Sequence, residues 1–290
     1  PSTGGKRCLL IAPLHFYGFA SGVAAGLEKR GYEVLLKNEE YPTGIWGRVA
    51  GYFFTNFIRK TTYLYFESLL RQVGFFDIVL IIKGRGMSPD LIDLFRENSK
   101  HVVGYNYDSF KRNPSALNWF RSADRFITFD FEDAKKYNLD LAHLFSNTPV
   151  ITDCDKKYSV SIIQRLHSDR LRYAKRIVDI VPEDERFVFL YEWSWLTLFL
   201  GFVRAPFLYA SMGRYISMTP LTYEQAMRRM AESHVTFDFA FPRQSGITVR
   251  CFEAQSLGTA ILTNNRSAVE SEIFQPGSIA YMPPDATPDE

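Results

Sequence analysis

The residues richest in chemistry lie between Arg243 and Glu253. An apolar, strand-like run from Val235 ends in the polar loop Pro242-Arg-Gln-Ser-Gly246, and a helical pattern follows up to a stop at Gly258. A loop of this kind delivers backbone N–H groups to a helix N-terminus, and Arg243 adds a guanidinium fork. Free N–H groups, the helix dipole and an arginine together favour a phosphate. The expected contacts are Arg243, Gln244, Ser245 and the helix start at Gly246. Glu253 falls about two turns into that helix, where a carboxylate can accept hydrogen bonds from both hydroxyls of a ribose. The alternative is a solvated helix residue; the loop and the spacing favour the ribose. Asp238, inside the strand, reads as a buried structural residue.

Other segments offer further groups. His167-Ser-Asp-Arg170 reads either as a helix cap, with Ser168 or Asp169 capping and Arg170 at the surface, or as a phosphate contact through Arg165 or Arg170. Arg165, Ser168 and Arg170 therefore join the phosphate- and ribose-binding set. His15 lies just past the first strand, at the edge where doubly wound sheets hold ligands. It and Asp108, after the fourth strand, are the candidate general bases. The alternatives are a structural histidine and an aspartate that caps a turn with Ser109. Lys83 and Arg85 follow the third strand and are expected to contact an anionic acceptor or a diphosphate. Asp153-Cys-Asp155 has a metal-like spacing but falls in a linker-like stretch, so no metal and no cofactor is expected.

Composition narrows the classes. A net charge of +2 is no mandate for nucleic acid, whose binders concentrate lysine and arginine on one face. Cys8, Cys154 and Cys251 are far apart and show no C-x-x-C, so neither a disulfide framework nor a zinc cluster is indicated, and a reducing cytoplasm fits. No signal peptide is visible, and the apolar run from Trp193 to Val203 is about half what a membrane helix needs. Aromatic content is high, at 16%. Two segments concentrate it, 45–60 and 191–200, the first interleaved with Arg48, Arg59 and Lys60. Such segments suit an interfacial helix at a membrane or a lipid-linked acceptor; the alternatives are core packing and an inter-subunit contact.

The elements that must position these groups are short apolar runs alternating with amphipathic stretches. In the first half, strands are expected near 6–12, 32–36, 76–82, 101–106 and 125–129. Helices are expected over 20–30, from Ser88-Pro89 to about Asn98, and over 131–137. The second half repeats the theme with strands near 158–163, 186–191, 235–239, 259–263 and 279–282, and helices over 168–180, 221–232 and 246–257. Strands separated by helices mean βαβ units and parallel sheets. The fold class is α/β, two Rossmann-like doubly wound domains facing across a cleft. The expected division is 1–155 and 156–290, the second carrying the phosphate- and ribose-binding residues.

The stretch from Asp238 resembles the C-terminal half of GT-B glycosyltransferases. It is most similar to bacterial lipopolysaccharide or capsule biosynthesis transferases and CgeB-like, glycosyltransferase family 1-like proteins. The matching positions are Asp238, Phe241-Pro242, Gln244-Ser245-Gly246, Arg250, Glu253-Ala254, Gly258 and Thr263-Asn264. Phe241 stands where the family usually has His, Ser256 where it has Gly, and Ser245 where broad retaining families carry a second acid. Ser161 to Arg170, Lys83-Gly84, Tyr107-Asp-Ser109 and Phe126 to Tyr137 extend the resemblance over nearly the whole chain. It implies glycosyl transfer from a nucleotide sugar to a surface glycan or lipid-linked acceptor, without a metal. The rivals are a non-catalytic GT-B-like nucleotide- or sugar-binding module and a phosphorylase or epimerase on the same architecture. The family's closing C-terminal helix does not follow before Glu290, so the chain reads as one module of a longer protein.

Overall fold

The computed structural model describes residues 5–14, 18–44, 54–147, 154–242 and 244–283. The chain divides into two compact units, Pro1–His143 and Leu144–Glu290. The sequence reading puts the division after residue 155, and Lys156 and Lys157 belong to the second unit on either division. The Lys156 ammonium donates to the carbonyls of Ala231 and Ser233 at 2.9 Å, and Lys157 pairs with the buried Glu232 at 2.7 Å.

The first unit runs β1 (Lys6–Ile11), α1 (Phe19–Glu28), β2 (Tyr32–Lys37), α2 (Thr55–Val73), β3 (Phe76–Ile82), α3 (Pro89–Glu97), β4 (Ser99–Asn106), β5 (Arg125–Thr128), α4 (Phe131–Tyr137) and β6 (Asp140–Leu141). All six strands are parallel, in the order β2-β1-β3-β4-β5-β6. β3 is apolar on both faces, as a central parallel strand covered by helices must be. The Ser88 hydroxyl accepts from Leu91 N–H at 3.4 Å with Pro89 at the first helical position, which starts α3 where its residues predict. α2 lays a stripe of Ile58, Thr62, Phe66 and Leu70 on the sheet, and Phe66, Phe76, Phe95 and Trp119 form much of the core.

The second unit runs β7 (Tyr158–Arg165), α5 (Arg170–Ile180), β8 (Arg186–Tyr191), α6 (Trp195–Arg204), α7 (Pro206–Met212), β9 (Ile216–Ser217), α8 (Tyr223–Ala231), β10 (Ser233–Asp238), α9 (Val249–Ser256), β11 (Ala260–Thr263), α10 (Arg266–Glu270) and β12 (Ile279–Tyr281). Its parallel sheet is ordered β12-β11-β10-β7-β8-β9. Both units are thus Rossmann-like and doubly wound, as expected. α6 falls in the aromatic segment for which an interfacial helix was one of the expectations, and α7 has no counterpart in the sequence reading. No helix among the described residues is long and apolar enough to cross a membrane.

These strand orders fix where ligands belong. In an open parallel sheet the crevice opens beyond the carboxyl ends of the strands, where the winding reverses. That point lies between β1 and β3 in the first unit and between β7 and β10 in the second.

Candidate functional site

In the second unit the loops after β7 and β10 flank the switch point, and they carry most of the expected donor-site residues. Arg170, the first residue of α5, joins them: its guanidinium donates to the carbonyls of Arg165 at 3.1 Å and Phe239 at 3.4 Å. Arg170 is half-buried, so its surface alternative does not hold. Asp169 occupies the cap position of α5 without a side-chain capping bond. Ser168 is exposed and takes a left-handed conformation, φ 54°, with its hydroxyl 3.3 Å from His167 Nδ1. Arg165 is exposed, with its guanidinium over the Trp193 ring at 5.7 Å.

The loop after β10 is longer than expected. Residues 246–248 precede the helix, which begins at Val249, so Gly246 is a loop residue and Glu253 stands just past the first turn. Asp238 causes the delay. Buried at the end of β10, it accepts from the hydroxyls of Thr248 at 2.6 Å and Thr263 at 3.0 Å and from the Cys251 thiol at 3.5 Å. The Thr248 hydroxyl therefore turns to Asp238 and makes no cap bond to α9. Gln244 N–H donates to Phe241 O at 3.0 Å. The buried Asn265 amide donates to the carbonyls of Ser245 at 3.3 Å and Gly246 at 3.0 Å. Arg243, central to the phosphate expectation, lies outside the described residues, as does His15.

Glu253 is buried at 6% exposure, which removes the solvated-helix alternative. Its Oε1 accepts from the Tyr223 hydroxyl at 3.0 Å, and its Oε2 lies 3.7 Å from Arg250 Nη1. Burial pushes its carboxyl above the usual range, against the lowering effect of Arg250 and the Tyr223 bond. Tyr223 was not anticipated from sequence. A capping box positions it: the Thr222 hydroxyl accepts from Gln225 N–H at 3.2 Å, and the Gln225 side chain accepts from Thr222 N–H at 2.9 Å. That box fixes the start of α8 with Tyr223 as its first residue. Thr222-x-x-Gln225 is legible in the sequence; its distance from Glu253 in the chain is what hid the pairing.

The first unit gathers a second set at the ends of β2, β3 and β4. Lys83 and Gly84 both take left-handed backbone, φ 67° and 65°. At Gly84 a Cβ would stand 2.5 Å from the Trp119 ring, whose indole N–H donates to the Gly84 carbonyl at 3.0 Å. This turn aims Lys83 at Asp108, Nζ to Oδ2 3.1 Å, with the Tyr107 ring 5.4 Å from the ammonium. Asp108 also faces Arg112 at 3.8 Å, and Ser109 accepts from Arg112 N–H at 3.3 Å. Arg85 donates its backbone N–H to Glu39 Oε2 at 2.9 Å and lies 3.7 Å from Glu40 by its guanidinium. Both cations expected to meet an anion are thus matched by carboxylates within their own unit.

Glu39 is the other residue missed. At 2% exposure, burial pushes its carboxyl up to about 7 although Lys83 and Arg85 lower it. Its position, two residues past β2 and at the same sheet edge as Lys83 and Asp108, is the signal that marks it. Among the described residues no group of three or more His, Cys, Asp or Glu is arranged to hold a metal ion.

No sequence-family model matches the chain, and a search of curated proteins finds no match. Solved structures do match in fold. AviGT4, a glycosyltransferase involved in avilamycin A biosynthesis, superposes with a TM-score of 0.57 at 14% identity, over 99% of this chain and 86% of that one. The Neisseria meningitidis UDP-GlcNAc 2-epimerase bound to UDP-GlcNAc gives 0.58 at 11% identity, over 96% and 87%. Anabaena Alr3699/HepE in complex with UDP-glucose gives 0.57 at 9% identity, over 96% and 86%. The chain has the GT-B fold. In GT-B terms, the second unit's switch point carries Arg165, Ser168, Arg170 and the Gln244–Gly246 loop, with Glu253 and Tyr223 beside it. The first unit carries Glu39, Lys83, Arg85 and Asp108 at the ends of its strands.

Proposed function

We propose that this GT-B chain transfers a glycosyl group from a nucleotide sugar to a bacterial surface glycan or lipid-linked acceptor, in the cytoplasm and without a metal ion. One observation carries the reading. Glu253 is a buried carboxylate between the starts of α8 and α9, held by a tyrosine hydroxyl and an arginine that a ribose can replace or share. Two of the similar structures hold UDP sugars, which makes a UDP sugar the first donor to test.

In this reading Glu253 accepts from the ribose, while Arg243, the Gln244–Gly246 loop and the Arg165–Arg170 loop receive the diphosphate. Charge developing on the leaving diphosphate is stabilised by arginine and fixed N–H dipoles. Asp108 serves as general base toward the acceptor hydroxyl, with His15 the other candidate, and Lys83 orients the Asp108 carboxylate. The cations at the first unit's strand ends are already paired, which favours a hydroxyl-bearing acceptor over a strongly anionic one. The resemblance of the Gln244 to Glu253 stretch supports a lipopolysaccharide or capsule role of the CgeB-like kind.

The test follows nucleotide release from a panel of UDP, GDP and ADP sugars with and without glycan acceptors. The expected outcome is acceptor-dependent release that Asp108→Asn lowers about 100-fold or more without weakening nucleotide binding. Binding without release would make the chain a binding module, and isomerisation of the free nucleotide sugar would make it an epimerase; either result rejects the transferase.

A further inference from the structure

α6 departs from the other long helices among the described residues: none of its ten residues is buried. Its apolar side chains face outward, with Trp195 at 73%, Phe199 at 62% and Val203 at 61% exposure, and α7 adds Phe207 at 90%. Trp193, at 59%, extends the surface at the start of α6. A contiguous apolar surface of this kind marks an interaction site rather than ordinary exposure.

The hairpin is firmly held. The buried Glu192 carboxylate accepts from the backbone N–H of Trp193 at 2.9 Å and Ser194 at 3.3 Å and from the Thr197 hydroxyl at 2.7 Å. It thereby seats the N-terminus of α6 on the end of β8. At Gly201 a Cβ would collide with the Tyr209 ring, so glycine lets this α7 side chain lie directly against α6. The aromatic face is therefore displayed on a fixed support.

Charge selects the partner. From Trp193 to Thr222 there is no Asp or Glu, while Arg204 and Arg214 are present. Arg214 pairs with Glu183 at 2.8 Å; Arg204, at the end of α6, has no ion pair among the described residues. Tryptophans and arginines bordering an outward apolar helix suit the headgroup level of a bilayer with anionic lipid. A second copy fits less well, because a two-fold contact would bring the α6–α7 segment, which carries Arg204 and no acid, against itself. At ten residues α6 is too short to cross a bilayer and would lie in its surface.

We propose that the α6–α7 hairpin is a membrane-surface anchor that inserts its aromatic face into the headgroup region of an anionic lipid bilayer. It stands apart from the glycosyl-transfer reading, since Trp195, Phe199, Arg204 and Phe207 belong to no part of the donor or acceptor sites.

Flotation of the full chain with vesicles tests it, comparing phosphatidylcholine alone with vesicles containing about one-third phosphatidylglycerol. The wild type is expected to float with the anionic vesicles, to be released by salt, and to show a blue-shifted tryptophan emission. Phe199→Ser combined with Phe207→Ser should lower the bound fraction about tenfold, and Arg204→Glu should weaken binding to the anionic vesicles alone, with thermal unfolding unchanged. No flotation with either vesicle, or binding indifferent to these substitutions, overturns the proposal. So does a dimer in solution that the Phe199→Ser, Phe207→Ser pair dissociates while vesicles bind neither form.

Discussion

Glu39 in the first unit and Glu253 in the second are both buried carboxylates on the ligand side of a parallel sheet, at 2% and 6% exposure. Burial pushes both upward. Their partners differ in kind. Glu39 accepts a backbone N–H, that of Arg85, so it cannot change partner without moving the loop after β3. Glu253 faces a tyrosine hydroxyl and a guanidinium, both on side chains that can rotate away. A carboxylate held by backbone joins two loops; one held by exchangeable side chains can receive a ligand. Asp238 marks the structural limit on a different ground, the number of donors: three side chains converge on it inside the second unit and occupy its oxygens.

The largest expected effect is at that limit. Asp238→Ala orphans Thr248, Thr263 and Cys251 together and should cost on the order of 4 kcal/mol in denaturant unfolding. A loss under about 1 kcal/mol would mean that Asp238 is not needed to hold the loop, and the contrast with Glu253 would fail.

Next is the pH dependence of Glu39. Its pKa in the folded chain, about 7, lies above the ordinary 4.5, so the folded state holds the proton more tightly than the unfolded one. The associated stability is whole below about pH 4.5 and is lost as pH rises through about 7. The loss from this group should be roughly 3 kcal/mol over that interval. Glu253 contributes with the same sign, so the informative quantity is the wild type minus Glu39→Gln. The variant should lack the decline that Glu39 causes; parallel pH profiles would show that Glu39 is not the proton-holding group.

A smaller effect is expected at Arg170, which ties the loop after β7 to the loop after β10. Arg170→Ala should lose about 1–2 kcal/mol and speed hydrogen exchange in both loops. Faster exchange confined to the first loop would remove the tie.

The same contrast explains what was legible in the sequence. β3, α3 and α4 follow from local rules: a short continuous apolar run, a Ser-Pro start and an aspartate cap. The parallel, doubly wound architecture follows from their alternation. Glu253 was legible because its loop and helix are contiguous. Its burial was not, because Tyr223 lies 30 residues away in the chain. Lys83 and Asp108 were each found by their positions after strands, but their pairing spans the whole of α3 and β4. Glu39 went unseen because two acids after a strand read as a solvated turn until neighbouring strands surround them. The start of α9 was placed too early because the bond from Thr248 to Asp238 is tertiary.

Calorimetric titration of UDP into the wild type, Glu253→Gln and Glu39→Gln tests the central claim most directly. The account predicts that the wild type binds, that Glu253→Gln, which preserves shape but not charge, binds about 10- to 100-fold more weakly, and that Glu39→Gln matches the wild type. Equal affinity in the wild type and Glu253→Gln, or no nucleotide binding at all when GDP and ADP are also tried, would contradict it.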